Sequence, residues 1–327
     1  MKTSSRIRLC CILIAFFLIF LPLQAFSQDI FEFIEKNDLA NVMNLVENHL
    51  ELLDVKNEFG WSPIHAAAFF SRDKVMMKLL ENGAKINSRD LGGFTPLHLA
   101  RTMDVARLLI EHKADINAAD NQGKTLLHHL IISSNESANI DLIKLLIQKK
   151  ADMEAKDRDG NTPLHAAIST GNLTVMKMLL ESGAKINSTN KFGFSSLHMA
   201  FIKTNNSFYE NDRCKIVKFL LDNDSDVNQK ANGLRTPLHL AVLEPVNHEA
   251  VSLLIDGGAD LNARNSEGET PLLCSIEAGN VIIAKLLIQR GCNVNLKDNA
   301  GNSPLLTALK EGQTAIAEIL RSARANE

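Results

Sequence analysis

From Gly60 onward, hydrophobic and polar positions repeat one arrangement. A polar, turn-rich stretch ends in glycine. A short apolar segment follows, then a longer one with apolar residues at helical spacing, then another polar turn. The first full copy reads Gly60-Trp61-Ser62-Pro63-Ile64-His65-Ala66-Ala67. It returns as Gly93-Phe94-Thr95-Pro96-Leu97-His98 and as Gly160-Asn161-Thr162-Pro163-Leu164-His165, with weaker copies from Gly123, Gly193, Gly233, Gly268 and Gly301. A period of about 33 residues belongs to a stacked array, not to one globular core.

Each copy predicts two helices. Thr95 suits a helix N-cap, because its hydroxyl accepts an early backbone N–H. Pro96 suits the next position, where a missing N–H costs nothing. Small residues such as Ala66, Ala67, Ala166 and Ala167 permit close helix contact. Val75, Met76, Leu79 and Leu80 fall on one face of a second helix. Gly83 then supplies a helix stop, and Asn87–Gly93 is a polar turn in which Asp90 can bond its own backbone. Helix, turn, helix, turn makes the chain all-α.

On these residues the chain resembles the ankyrin-repeat family, with its Asp-x-x-Gly-x-Thr-Pro-Leu-His-x-Ala phrase and its second helix ending Leu-Leu-x-x-Gly-Ala. The resemblance covers roughly residues 29–325. It implies a solenoid of helix-turn-helix units with projecting β-hairpin-like finger loops. We expect about nine units: an N-terminal capping repeat at 28–57 and about eight repeats over 58–325, the last a C-terminal cap with Arg321 in place of a leucine.

Departures from the pattern carry their own expectations. His98 to Val105 is three residues short, so the first helix of that copy is clipped. Extra residues near Ser133–Asn139 and Asn205–Lys215 are expected in turns between helices, where length is tolerated. Lys113, Lys150 and Asp224 replace the stop glycine and should be strained by about 1 kcal/mol each.

Residues 1–27 stand outside the array. Lys2, Arg6 and Arg8 precede an unbroken apolar run of 13 residues, Leu9–Leu21. Small residues follow, in the layout of a secretory signal peptide cut after Ser27. An uncleaved anchor is the alternative, but needs roughly 18–20 apolar residues. Cleavage would place the protein outside the cytoplasm, periplasmic or secreted, with no membrane attachment. Cys214, Cys274 and Cys292 remain, an odd and sparse set that makes no disulfide framework. The net charge is −3, and removing the three basic residues of the leader makes it −6. Basic residues are scattered through every unit, which disfavours nucleic acid as a partner.

Candidate chemistry is thin. His65, His98, His128, His165, His198 and His239 occupy equivalent positions, so stacking sets them roughly 8–10 Å apart. Zinc ligands must converge to about 2 Å from one ion. The resemblance implies instead that each histidine braces a finger loop. No phosphate loop, carboxylate pair or nucleophile elbow is visible, and no cofactor is expected. An enzyme or metal protein using groove residues is the competing reading.

One set of side chains rises above this background. The resemblance places the positions around the finger glycine and at the end of the first helix on a concave groove. They hold Phe59, Trp61, Phe69, Phe70, Phe94, Phe192 and Phe194, including the only tryptophan of the chain. Aromatic anchors dominate binding energy at protein interfaces. The alternative for some is finger-to-finger packing, with Phe94 leaning on Trp61. The expectation is therefore a monomeric, non-enzymatic scaffold that binds a protein partner through these residues.

Overall fold

The computed structural model describes residues 26, 28–133, 136–202, 208–243 and 248–326, the side chains of 136–138 and 208–212 excepted. The leader read over residues 1–27 lies, apart from Phe26, outside them. The described residues form two compact units that divide between Ala151 and Asp152.

The first unit begins with a helix pair, α1 (28–35) and α2 (Leu39–Asn48). Asp38 caps α2, accepting the Asn41 N–H at 3.1 Å. The expected N-terminal cap showed only the second-helix pattern in sequence; α1 adds Ile30 and Ile34, both fully buried. The next repeat holds α3 (Pro63–Phe69) and α4 (Asp73–Glu81). Then come a 3₁₀ turn (Pro96–Leu99) with α5 (Met103–Glu111), and α6 (Leu126–Ile132) with α7 (Glu136–Gln148). Helices α2, α4, α5 and α7 stack in an outer row; α3, the 3₁₀ turn and α6 form the inner row. The core lies between the rows. Val75, Met76 and Leu79 of α4 are fully buried there, each contributing roughly 1.5–3 kcal/mol through removal of apolar surface from water.

The second unit repeats the plan. Its inner row is α8 (Pro163–Thr170), α10 (Ser196–Met199), α12 (Pro237–Ala241), α14 (Pro271–Glu277) and α16 (Pro304–Lys310). The outer helices are α9 (Leu173–Glu181), α11 (Phe208–Asp222), α13 (His248–Asp256), α15 (Val281–Gln289) and α17 (Thr314–Ser322). The architecture is the expected all-α ankyrin solenoid. Its fingers are hairpin-like, with one isolated antiparallel bridge, Ala119–Thr125, among the described residues.

The clipped repeat is as the spacing predicts: a four-residue 3₁₀ turn stands where α3 has seven residues. The two insertions differ from expectation. They do not remain wholly in turns, because α7 has 13 residues and α11 has 15, against nine in α4 and α9. Extending the start of an existing helix adds one backbone bond per residue fixed and needs no new nucleus. Residues 134–135 and 203–207 lie outside the described residues.

Lys113, Lys150 and Asp224 do adopt left-handed backbone, with φ of 68°, 62° and 62°. Replacing Lys113 or Lys150 by glycine is expected to stabilise the protein by about 0.5–1 kcal/mol each, strain relief being partly offset by glycine entropy. Urea midpoints read the gain, and a Lys113→Ala control, which keeps the offending Cβ, gives none. Equal midpoints for the glycine and alanine variants would remove the strain argument.

Candidate functional site

The fingers are built by their first residue. Asp90 Oδ1 accepts the Phe94 N–H at 2.8 Å, and Asp120 Oδ1 accepts those of Gln122 and Lys124 at 2.7 and 2.9 Å. The loop closes on itself, as when the Asn57 N–H donates to the Trp61 carbonyl at 3.0 Å. Successive fingers are then joined tip to tip. Leu91 N–H donates to the Phe59 carbonyl at 3.2 Å, Asn121 N–H to Gly92 at 2.9 Å, and, in the second unit, Lys191 N–H to Asp159 at 2.9 Å. A second ladder runs through the outer turns. There Asn87 Oδ1 accepts the Asp115 N–H, and Asn228 Oδ1 that of Asp260, both at 2.8 Å.

Histidine locks the inner helices α3, α8, α10 and α12 to the next finger. His165 Nδ1 accepts the Thr162 N–H at 3.1 Å, while the Thr162 hydroxyl takes the His165 N–H in a reciprocal capping box. A ring whose Nδ1 accepts carries its proton on Nε2, and His165 Nε2 donates to the Phe194 carbonyl of the next finger at 3.1 Å. His65 does the same to Phe94 at 3.1 Å, His198 to Arg235 at 2.9 Å and His239 to Glu269 at 3.1 Å. His98 departs from the rule: its Nε2 is buried without a hydrogen-bond partner. Burial first, against the partial help of the carbonyl acceptor, pushes His65 and His198 down to about 4 and lowers His165 and His239. For His98 burial and then the neighbouring His129 ring bring it to about 4. His65, His165, His198 and His239 are thus held neutral by their two bonds and their surroundings, and His98 by its surroundings and its one bond.

The seven aromatic residues singled out in the sequence fall into three groups. In the first unit Trp61 lies 5.5 Å from Phe59 and 4.7 Å from Phe69, and Phe69 meets Phe70 edge-on at 5.2 Å. Trp61 Nε1 donates to Asp90 Oδ2 of the next finger at 3.2 Å. Phe59 is 56% exposed at the fingertip; Trp61, Phe69 and Phe70 are half-buried. Phe94 does not join them. Its ring packs at 5.6 Å on His98 and 5.1 Å on His129, in its own and the following repeat, while the backbone of its finger is bonded to His65 of the preceding one. In the second unit Phe192, 52% exposed, lies 5.9 Å from Phe194, which stacks on His198 at 5.7 Å.

Several residues at these sites carried no separate signal in the sequence. Arg101 lays its guanidinium 3.8 Å over the Phe69 ring; the shortened repeat hides its register. Asp120 Oδ2 meets His129 Nε2 at 2.8 Å. Burial works against ionisation of Asp120, but the Lys124 N–H and His129 outweigh it and hold that carboxyl below its usual range. In the second unit Glu277 gathers with Glu267, Glu269 and Glu311. Burial and then its hydrogen-bonded neighbour Glu269 push the Glu277 carboxyl up to about 7. Cys274 and Cys292 are buried, which raises their thiols to about 12 and about 11 and leaves them as packing groups.

The repeat geometry agrees with what the chain is similar to. The family described as "Ankyrin repeats (3 copies)" matches residues 32–120, 75–154, 102–190, 130–231, 184–265 and 238–327. The chain belongs to the ankyrin-repeat family, whose repeats are protein–protein interaction scaffolds. It is 27% identical over 226 residues to the human transient receptor potential cation channel subfamily A member 1, covering 66% of this chain and 16% of that protein. It is 31% identical over 206 residues to palmitoyltransferase AKR1 of Lachancea kluyveri, covering 60% of this chain and 26% of that one. With human NF-kappa-B inhibitor zeta it shares 26% identity over 250 residues, 72% of this chain and 32% of the relative. The chain spans a third or less of the length of these relatives, so what they share with it is the repeat stack. No helix among the described residues is long and apolar enough to cross a membrane.

Proposed function

We propose that the protein is an exported, non-enzymatic, monomeric scaffold that binds a protein partner through the aromatic side chains of its fingers and inner helices. One observation carries the reading: Phe59, Trp61, Phe69 and Phe70 form a continuous aromatic cluster on the first unit, oriented by the Asp90 hydrogen bond and left partly open to solvent. Rigid amphipathic rings held in place before binding lose little conformational freedom on contact. Export rests on the basic start and apolar run of residues 1–27. It places the protein in the periplasm or the medium.

Affinity capture with the wild-type protein and with Trp61→Ala, Phe194→Ala and the double variant tests the binding face. A captured partner is expected to be lost from Trp61→Ala by roughly thirtyfold in affinity, about 2 kcal/mol, the scale of a central aromatic anchor. Circular dichroism stays unchanged. Undiminished capture by the double variant would refute the face, and loss of helix content would assign Trp61 to packing. Amino-terminal sequencing of the protein recovered from its host tests export: a start near Gln28 is expected, and an intact leader contradicts it.

A further inference from the structure

The missing helical turn of the second repeat leaves a cavity in the first unit. His98 to Val105 is three residues shorter than His65 to Val75. The chain crosses that gap as Ala100, Arg101 and Thr102, with no inner helix beyond the 3₁₀ turn. The space is about 510 Å³, bounded by these link residues and Met103 and by Leu130, Ser133, Asn139 and Leu142 of the next repeat, so that apolar and polar groups share its wall. That lies within the range of natural ligand pockets, roughly 300–1,000 Å³. The cavity is continuous with the aromatic cluster through Arg101, which lines it and stacks on Phe69.

Charge at this place is one-sided. Arg101 makes no ion pair among the described residues. The finger carboxylates of this and the following repeat are already engaged: Asp90 with the Phe94 N–H and Trp61 Nε1, Asp120 with two finger N–H groups and His129. A guanidinium held over a ring face by its carbon still has N–H donors to offer a carboxylate. The Asn139 amide, which also faces the cavity, donates to the Leu130 carbonyl at 2.9 Å.

We propose that this notch is the specificity pocket of the first unit, and that it accepts a bulky apolar side chain from a partner protein segment bearing a carboxylate beside it. The proposal rests on the scaffold reading and adds the chemistry of the occupant.

Panning a phage-displayed library of random dodecapeptides on the immobilised protein tests it. Enriched peptides are expected to pair a leucine or aromatic residue with an adjacent aspartate or glutamate. Their affinity should fall at least tenfold in Arg101→Glu and in Leu130→Trp, which plugs the notch. A variant with three residues inserted after Ala100, restoring the neighbouring spacing, should lose them as well, with helix content kept. Peptides that need Trp61 but bind Leu130→Trp and the insertion variant undiminished would overturn the notch while leaving the scaffold reading intact. Basic or purely polar enriched peptides, or free phenylacetate binding as tightly as any peptide, would also overturn it. No enriched peptide at all, or peptides indifferent to Trp61→Ala, Arg101→Glu and Leu130→Trp alike, would overturn both.

Discussion

Lowering the pH from 7.5 to 5 is expected to weaken the fold by several kcal/mol, well before most carboxylates titrate. The cause is the set of histidine capping boxes. His65, His98 and His198 titrate near 4 in the folded chain, against an ordinary 6.5. Each ring is held neutral because its Nδ1 accepts an N-cap N–H and its interior position disfavours charge. An unfolded chain takes up these protons from about pH 6.5 downward, while the folded one resists until about 4. Stability is therefore complete above 6.5 and declines as pH falls through that window, by about 2 kcal/mol per ring at pH 5. Glu277 works the other way. Its carboxyl is raised to about 7, so its ionisation costs stability as pH rises between 4.5 and 7.

Urea unfolding at pH 7.5, 6.0 and 5.0 measures the sum. Variants separate the parts. The chain itself places Leu273 and Leu306 where other repeats carry the histidine, with Thr270 and Ser303 still capping their helices. A His198→Leu variant keeps the apolar volume and removes one titrating ring, so its pH slope should be shallower than that of the wild type. A wild-type midpoint unchanged from pH 7.5 to 5.0, or a His198→Leu slope identical to it, would contradict the assignment.

The second large effect is expected at the fingertips. Gly60→Ala should destabilise the first unit by about 3 kcal/mol, and Gly83→Ala by only about 1 kcal/mol. Both glycines have left-handed backbone, with φ of 76° and 93°. They differ in what surrounds them. A Cβ on Gly60 would lie 2.8 Å from the backbone nitrogen of Leu91, whereas a Cβ on Gly83 has nothing within 4 Å. The Leu91 nitrogen is the one that donates to the Phe59 carbonyl, so the added methyl presses on the bond joining two fingers. Gly60→Ala is thus charged with strain plus a lost inter-finger bond, Gly83→Ala with strain alone. Denaturant midpoints for the two variants decide the matter, and equal losses would show that finger contact adds nothing at this site. Because Phe59 and Trp61 flank Gly60, the same variant should disturb the tryptophan emission.

Much of this was legible in the residues themselves. Thr-Pro at a helix start, alanines on the inner helix and the Val75-Met76-Leu79 row each act within a few residues, and local rules suffice to read them. The clipped second repeat was visible as a shortened spacing, and the left-handed lysines as substitutions at a stop position. The helix 28–35 was not seen, since Ile30 and Ile34 lie too near the leader to show a period of their own. Lengthening of α7 and α11 does not show in the sequence, because inserted polar residues look the same in a turn as in the first turn of a helix.

Sequence alone therefore determined the repeat, its period, the N-cap residues of its helices and the identity of the aromatic residues, because each depends on near neighbours along the chain. Only the tertiary structure decided which rings meet. Phe94 turns to His98 and His129, Trp61 is held by Asp90, and Arg101 covers Phe69 beside a cavity that three absent residues leave open. All of these pairings except Phe94 with His98 link residues about 30 positions apart. Their distances are set by how one repeat leans on the next, and no local pattern of side chains encodes that.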